Sequence, residues 1–307
     1  MMRAKTQKNI LPAGVRDRIG ILDAKRSRLV RMTLLYCFLF VAAYVPLVLA
    51  ADRVVGINRR VVRIASLPVA YYLYCRIKRK KSALDTEFYS EVTSSVIARI
   101  DKDWEHHPDA GTNPDIIARS RLIRPGSAME VRNRISGLIG KTGFEFSEVK
   151  VIRNGYIPAK LPRTIFHGYF LVFDFNKRTR SRLYIRPRPL RDFGDASFDE
   201  PPMRSDTPEF DRAFSVYCAD EVHARYVLTP SFMARLLDLP QELRGRVSLL
   251  IEDSRMYVAI RGKGTFLEPE LFRRMRADEI FDKHMRVFST IGMLTDELKL
   301  NTRIWTV

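Results

Sequence analysis

Cysteine is scarce in this 307-residue chain: Cys37, Cys75 and Cys218 are the only three. An odd, widely spaced set excludes a disulfide framework and fits a reducing compartment. The five histidines are His106, His107, His167, His223 and His284, and none pairs with another His or Cys at helical i, i+4 or zinc-finger spacing. No GxSxG nucleophile elbow and no HExxH helix occurs. Acid is nearly missing from the N-terminal part. Of 35 Asp plus Glu only Asp17, Asp23 and Asp52 precede Ser82, whereas 18 of the 53 Lys plus Arg do. The other 35 basic and 32 acidic residues nearly balance, so the formal charge of +18 belongs to the N-terminal part. That distribution favours attraction to a membrane surface over a nucleic-acid footprint and makes nucleic acid the weakest candidate partner.

What the chain does have is one long run without charge, Met32 to Ala51, MTLLYCFLFVAAYVPLVLAA. A helix rising about 1.5 Å per residue needs roughly twenty residues to cross an apolar core of about 30 Å. The run meets that length and reads as a membrane span. Nine basic residues precede it, Arg3, Lys5, Lys8, Arg16, Arg18, Lys25, Arg26, Arg28 and Arg31. A second apolar run, Val61 to Ile77, is interrupted by Arg63 and Pro68 and trailed by Arg76, Lys78, Arg79, Lys80 and Lys81. Basic clusters outside both runs place both ends of a membrane hairpin in the cytosol. Tyr71, Tyr72 and Tyr74 suit the interfacial aromatic belt, and Arg63 can snorkel outward. Two alternatives stay open: the second run as a re-entrant or interfacial segment, and the first as a cleaved signal peptide with Val48 and Ala50 before the cut. The expected organisation is a basic segment over 1–31, an anchor over 32–81 with spans 32–51 and 61–77, and a cytosolic domain over 82–307. The expected location is the cytoplasmic (inner) membrane, with both termini cytosolic.

After the membrane, Leu84, Phe88, Val92, Val96, Ile100 and Trp104 recur every four residues, aided by Tyr89 and Ile97, which predicts a helix over Ser82 to His106. Asn113 and Pro114 open a short helix to Leu122. Phe144 to Ile152 and the aromatic-rich Thr164 to Phe175 read as strands, the second central in a sheet. Asn176 to Arg180 supplies a turn and Ser181 to Arg186 a returning strand. Gly194 to Pro208 is a polar loop. Ala213 to Cys218 with Val222 to Leu228 is expected as a hairpin, followed by a helix from Pro230 to near Leu239. Val247 to Glu252 and Met256 to Arg261 form a hairpin around Asp253-Ser254. Asp278 to Leu298 is a helix with Phe281, Met285, Phe288, Ile291, Leu294 and Leu298 on one stripe. The fold class is α+β: an N-terminal transmembrane helical hairpin, then a largely antiparallel sheet with flanking helices.

Several motifs dissolve on inspection. Gly137 to Thr142 has two residues, not four, before its Gly-Lys pair, and a strand follows, so it reads as a turn and not a phosphate loop. Asp192-Phe193-Gly194 lacks the rest of the kinase signature. Cys218 and His223 would approach across the expected hairpin, yet no third member of a catalytic set accompanies them. The stretch Lys177 to Arg191, KRTRSRLYIRPRPLR, is different in kind. It carries Lys177, Arg178, Arg180, Arg182, Arg186, Arg188 and Arg191 without an acid. Arginine forks recognise phosphate, so an anionic lipid headgroup or an acidic partner is one reading. A solvated hairpin whose charges meet Asp192, Asp195, Asp199 and Glu200 is the other. The candidate anionic-surface contacts are therefore Arg76, Lys78, Arg79, Lys80 and Lys81 beside the anchor, with Lys177, Arg178, Arg180, Arg182, Arg186 and Arg188 in the domain.

The stretches SRLI at Ser120, GFEFSEVKV at Gly143, RTIFHGYFLVFDFNKRTRSRLYIRP at Arg163, FDRAFSVYCADEVHARYVLTPSFMARL at Phe210 and ELKLNTRIW at Glu297 resemble the bacterial membrane-protein family known as domain of unknown function 3137. The resemblance covers roughly Asp115 to Trp305. It implies a pair of membrane segments before a soluble domain, and no reaction, cofactor or catalytic residue comes with it. Two functions follow as expectations. The first is a membrane-tethered, cytosol-facing binding or scaffold protein, non-enzymatic and without cofactor, with the bilayer and an unassigned protein as partners. The alternative is a membrane-associated hydrolase whose site is assembled from residues distant in sequence.

Overall fold

The computed structural model describes residues 13–53, 59–154, 162–174, 179, 181–189, 193, 200–243, 245–262 and 269–297. The chain divides into two compact units: Met1–Thr93 with Glu268–Ile280, and Ser94–Leu267 with Phe281–Val307.

The first unit is built on two long helices, α1 (Ala13–Arg53) and α2 (Arg59–Phe88). Both apolar runs are therefore helical, and Pro46 and Pro68 lie inside them. The two helices pack antiparallel, since Tyr36 takes the Arg76 guanidinium at 5.6 Å from its ring centre while Met32 lies 3.8 Å from the Lys80 ammonium. Among the described residues only α1 is long and apolar enough to cross a membrane, by length and composition. The pairing of two spans expected from the sequence is thus reduced to one candidate span: the second run is divided by Arg63 and followed by a solid basic block. In its first half α1 holds the segment at Leu271 and Met275 by polar contacts. The Asp23 carboxylate accepts from the Met275 backbone N–H at 2.9 Å and from Arg26 at 2.8 Å, and Arg26 also donates to the Leu271 carbonyl at 2.9 Å. Burial raises the Asp23 pKa, but the Met275 N–H and Arg26 outweigh it and hold the group below its ordinary value.

Leu84, Phe88, Val92 and Val96 are buried as their spacing predicts. Steps of four overshoot an α-helical turn by about 40° each. A π-turn at Tyr89–Thr93 absorbs one extra residue and returns the stripe to one side. The helix resumes as α3 (Ser94–Ile100) and ends there, short of the expected His106. Glu105–His107 instead forms an edge strand, β1.

The second unit is an antiparallel sheet. After α4 (Pro114–Arg119) come β2 (Ala128–Ile139), β3 (Thr142–Arg153), β4 (Arg163–Asp174), β5 (Leu183–Pro187) and β6 (Pro202–Met203). Then follow α5 (Pro208–Ala213), β7 (Phe214–Cys218), α6 (Glu221–Val227), α7 (Pro230–Glu242), β8 (Gly245–Glu252), β9 (Arg255–Gly262) and α8 (Ala277–Glu297). The strand order is β1-β2-β3-β4-β9-β8-β5-β7-β6. β4 is central as expected, with β3 and β9 as neighbours. Its near-continuous apolar sequence has a simple cause: both faces are covered. On one face Val149, Val151, Phe166, Phe170, Leu250 and Ala259 pack against Ile117 of α4 and the following Leu122 and Ile123. On the other, Phe146 stacks on Tyr169 and meets Phe288 of α8, while Trp104 contacts both Phe144 and Phe288.

Two further expectations need correction, and one strand is new. β5 does not return on β4; it lies between β8 and β7, because the β8–β9 hairpin occupies the neighbouring edge of β4. Val222 to Leu228 is helix α6 and not a strand, since the Asp220 carboxylate accepts the His223 backbone N–H at 2.9 Å and caps it. β2 went unforeseen, its apolar residues being diluted by Glu130, Arg132, Asn133 and Arg134. It contains a bulge between Arg132 and Ile135, where Asn133 takes φ 59°. The α4 start behaves as predicted, with the Asn113 side chain accepting from Asp115 N–H at 2.9 Å. So do the turn after β2, where Gly140 has φ 64°, and the turn at Asp253, with φ 52°.

Candidate anion-binding cleft

α4 ends unusually. Helices often close with a left-handed residue, and glycine takes that place because other side chains crowd the following carbonyl. Here Arg121 takes it, with φ 53°. Its N–H reaches the Ala118 carbonyl at 3.1 Å, and the fully buried Arg186 of β5 donates through Nη2 to the Arg121 carbonyl at 2.7 Å. An arginine in the middle of the domain thus clamps a second arginine in a conformation that costs about 1–2 kcal/mol. Backbone strain of this kind gathers at binding sites, where surrounding structure holds it in place.

Arg121 stands at a cleft of about 460 Å³ whose other cations are Arg119, Arg182 and Arg255, facing the phenols of Tyr184 and Tyr257. Two acids, Glu252 and Asp253, also line it. Arg182 pairs with Glu252, and Arg255 lies 3.5 Å from Asp174. Burial, then the nearby Glu200, raises the Tyr184 pKa, so its hydroxyl stays a neutral donor. Ser120 also lines the cleft, but its hydroxyl is committed to the Ile117 carbonyl at 2.7 Å. The wall is fixed by the fold: Tyr184 and Arg186 alternate onto one face of β5 with Arg182 just ahead of the strand, while Glu252 and Arg255 flank the β8–β9 turn. Thr179 braces the β8–β9 turn, donating its N–H and its hydroxyl to the Asp253 carbonyl at 2.7 and 2.9 Å. Four guanidinium forks against the carboxylates of Glu252, Asp253 and Asp174 leave a net positive environment for an oxyanion.

The arginine-rich stretch from Lys177 to Arg191 therefore splits. Arg182 lines the cleft, Arg186 supports it from beneath, and Arg188 points to the Ser215 hydroxyl at 2.7 Å. Lys177, Arg178, Arg180 and Arg191 lie outside the described residues. Arg186 is 0 % exposed and so presents no surface to a membrane. Arg119, Arg121 and Arg255 escaped sequence reading, coming from two further segments. The signal that carried part of the site was the i, i+2 alternation of Arg182, Tyr184 and Arg186. In the first unit, Lys80 and Lys81 lie on α2, and Lys81 pairs with Asp85 at 3.1 Å. Arg76, Lys78 and Arg79 are on the same helix.

The Cys218 and His223 expectation ends with the hairpin it depended on. The buried Cys218 thiol donates to the Asp220 carbonyl at 3.2 Å, and His223 belongs to α6. His106 is held otherwise, its Nδ1 2.7 Å from the Ser94 hydroxyl and its Nε2 2.5 Å from Asn133 Oδ1. Burial lowers its pKa. Among the described residues no three His, Cys, Asp or Glu side chains gather as metal ligands would.

Fold and cleft define an α+β protein whose described residues form a nine-stranded antiparallel sheet, an arginine-lined cleft and an apolar N-terminal helix. Residues 164–300 match the family described as "Protein of unknown function (DUF3137)". The match runs from β4 through α8, so Arg182, Tyr184, Glu252, Asp253, Arg255 and Tyr257 fall within it and the α4 side of the cleft precedes it. Among solved structures, the crystal structure of the mycobacterial trehalose monomycolate transport factor A, TtfA, is similar at 11% identity and a TM-score of 0.39, over 71% of this chain and 97% of that one. A likeness that distant carries no argument. No curated protein matches the chain.

Proposed function

We propose that this is a membrane-anchored, cytosol-facing binding protein whose sheet domain takes an anionic ligand in the arginine cleft. The observation that carries the anchor is the uncovered apolar surface of α1. Leu34, Leu35, Phe38, Leu39, Val41, Val45, Leu47 and Leu49 are all exposed, a patch far beyond what water tolerates on a folded chain. Exposed Ile64, Leu67, Val69, Tyr71, Tyr72 and Tyr74 continue it on α2. With α2 antiparallel to α1, this supports the second run as a returning segment. The basic residues before Met32 and after Ile77 then fall on one side, which the positive-inside rule makes cytosolic. α1 begins at Ala13, well ahead of the charge-free run, which favours a retained anchor over a cleaved leader.

The cleft is tested by equilibrium binding of inorganic phosphate and pyrophosphate to the intact protein in detergent. The informative variant is Arg121→Gly, because glycine accepts the left-handed conformation. Losing a charge-assisted hydrogen bond of about 1.5–3 kcal/mol weakens binding about tenfold or more, with the unfolding temperature unchanged or raised. A wild-type protein that binds neither anion, or an affinity untouched by Arg119→Ala with Arg121→Gly, would refute the assignment.

A further inference from the structure

The first unit holds a second basic cavity, unrelated to the arginine cleft. Between α1 and α2 lies a groove of about 250 Å³, lined by Lys25, Arg28 and Lys80 around the apolar side chains of Leu29, Met32 and Leu84. Glu87 also lines it and is paired with Lys25, so Arg28 and Lys80 supply its positive charge. Leu29 and Leu84 are buried and make an apolar floor, whereas Arg28 and Lys80 stand exposed above it. Position matters as much as composition. Met32 is the first residue of the charge-free run, so a spanning α1 puts this groove where headgroups meet acyl chains. The exposed apolar surfaces of both helices lead directly away from it.

We infer that this groove holds one anionic phospholipid, its phosphodiester between Arg28 and Lys80 and its first methylenes on Leu29, Met32 and Leu84. The volume is below the roughly 300 Å³ at which small-molecule pockets begin, so it admits a headgroup while the acyl chains lie along the helices. A soluble phosphate satisfies the two cations but leaves the apolar floor wet, which favours the lipid source. A pair of cations over an apolar floor differs from general attraction to a negative surface, because it selects one lipid at one place. The inference rests on the membrane anchor proposed above.

The test uses the intact protein in phosphatidylcholine nanodiscs carrying spin-labelled phosphatidylglycerol or spin-labelled phosphatidylcholine as a minority lipid. The readout is the motionally restricted fraction of each label. The expected result is an association about tenfold stronger for phosphatidylglycerol, because the choline cation of phosphatidylcholine is repelled by Arg28 and Lys80 and offsets the pull on its phosphodiester. Arg28→Gln with Lys80→Gln removes the preference. Arg28→Lys with Lys80→Arg keeps it, and so does Lys78→Gln with Arg79→Gln outside the groove. Equal restriction of both labels, equal loss in both charge-removing pairs, or displacement of the lipid by soluble glycerol phosphate would overturn the lipid site alone. Failure of the protein to enter the nanodiscs would overturn the anchor and this site with it.

Discussion

Gly168→Ala tests the centre of the sheet. A Cβ added at Gly168 would lie 1.9 Å from the Ile260 carbonyl oxygen, 2.9 Å from that carbonyl carbon and 3.0 Å from Arg261 Cα. Close carbon–oxygen contacts between strands sit at about 3.3 Å, so the backbones must separate by about 1.4 Å. No flexible side chain can absorb the shift, since all three atoms are backbone. Gly168 pairs with Arg261 where the β4–β9 ladder begins, and the displacement opens that end of the ladder. Overpacking costs about 1–3 kcal/mol when side chains can adjust; with backbone alone to give, we expect about 3 kcal/mol. At about 2–4 °C per kcal/mol for a domain of this size, the unfolding temperature falls by about 6–12 °C. Gly143→Ala is the matched control. Its nearest neighbours are Asp174 Cβ at 3.8 Å and the Asp174 oxygen at 3.9 Å, ordinary contacts, and it too is a strand glycine without positive φ. It should leave stability unchanged or raise it by about 0.4–1 kcal/mol through the unfolded chain. Thermal unfolding of the intact protein in detergent, followed by near-ultraviolet circular dichroism, reads both. Equal unfolding temperatures for the two variants would refute the β4–β9 register.

Arg186→Ala removes the buried hydrogen bond to the Arg121 carbonyl and leaves a cavity, so it should cost about 2–4 kcal/mol and weaken pyrophosphate binding. Arg188→Ala, exposed and bonded to Ser215, should cost less than about 0.5 kcal/mol, both variants being read by urea titration. Burial depresses the folded-state pKa of His106, so the unfolded chain takes up its proton first as pH falls. The stability that neutral His106 provides is complete above the unfolded value of about 6.5 and is lost as pH falls from there through the folded value, by at most about 1.4 kcal/mol per pH unit. Urea midpoints measured between neutral pH and about pH 5 should therefore fall on acidification, and less steeply in His106→Gln.

The elements legible in the sequence are those whose signal is local. β4 declares itself by a run of aromatic and branched residues long enough for a strand with both faces covered. α4 and the turn at Asp253 follow from a cap and a hairpin tip, chemistry that fits within four residues. β2 was hidden because its bulge breaks the alternation at Asn133, and because it borders the three-residue edge strand β1 and keeps polar residues on view. α6 was misread because Val222, Val227 and Leu228 suit a strand, while the deciding interaction is one carboxylate, Asp220, folding back on His223 N–H. The cleft was only partly visible. Its cations come from the end of α4, the residue before β5 and the start of β9, and pairing of non-consecutive strands brings these together. An arginine-rich stretch marks a region of charge, but burial sorts its members. Arg186 is enclosed, while Arg182, four residues before it on the same face, lines the cleft.

The account depends most on the uncovered apolar run of α1 crossing a bilayer with the sheet domain on the cytosolic side. The direct measurement is protease digestion of inside-out inner-membrane vesicles, washed in alkaline carbonate, from cells making the full chain. The prediction is that the chain stays in the washed membranes and that external protease removes the domain after Ser94. Release of the intact chain by carbonate, or a domain protected until detergent opens the vesicles, would contradict it.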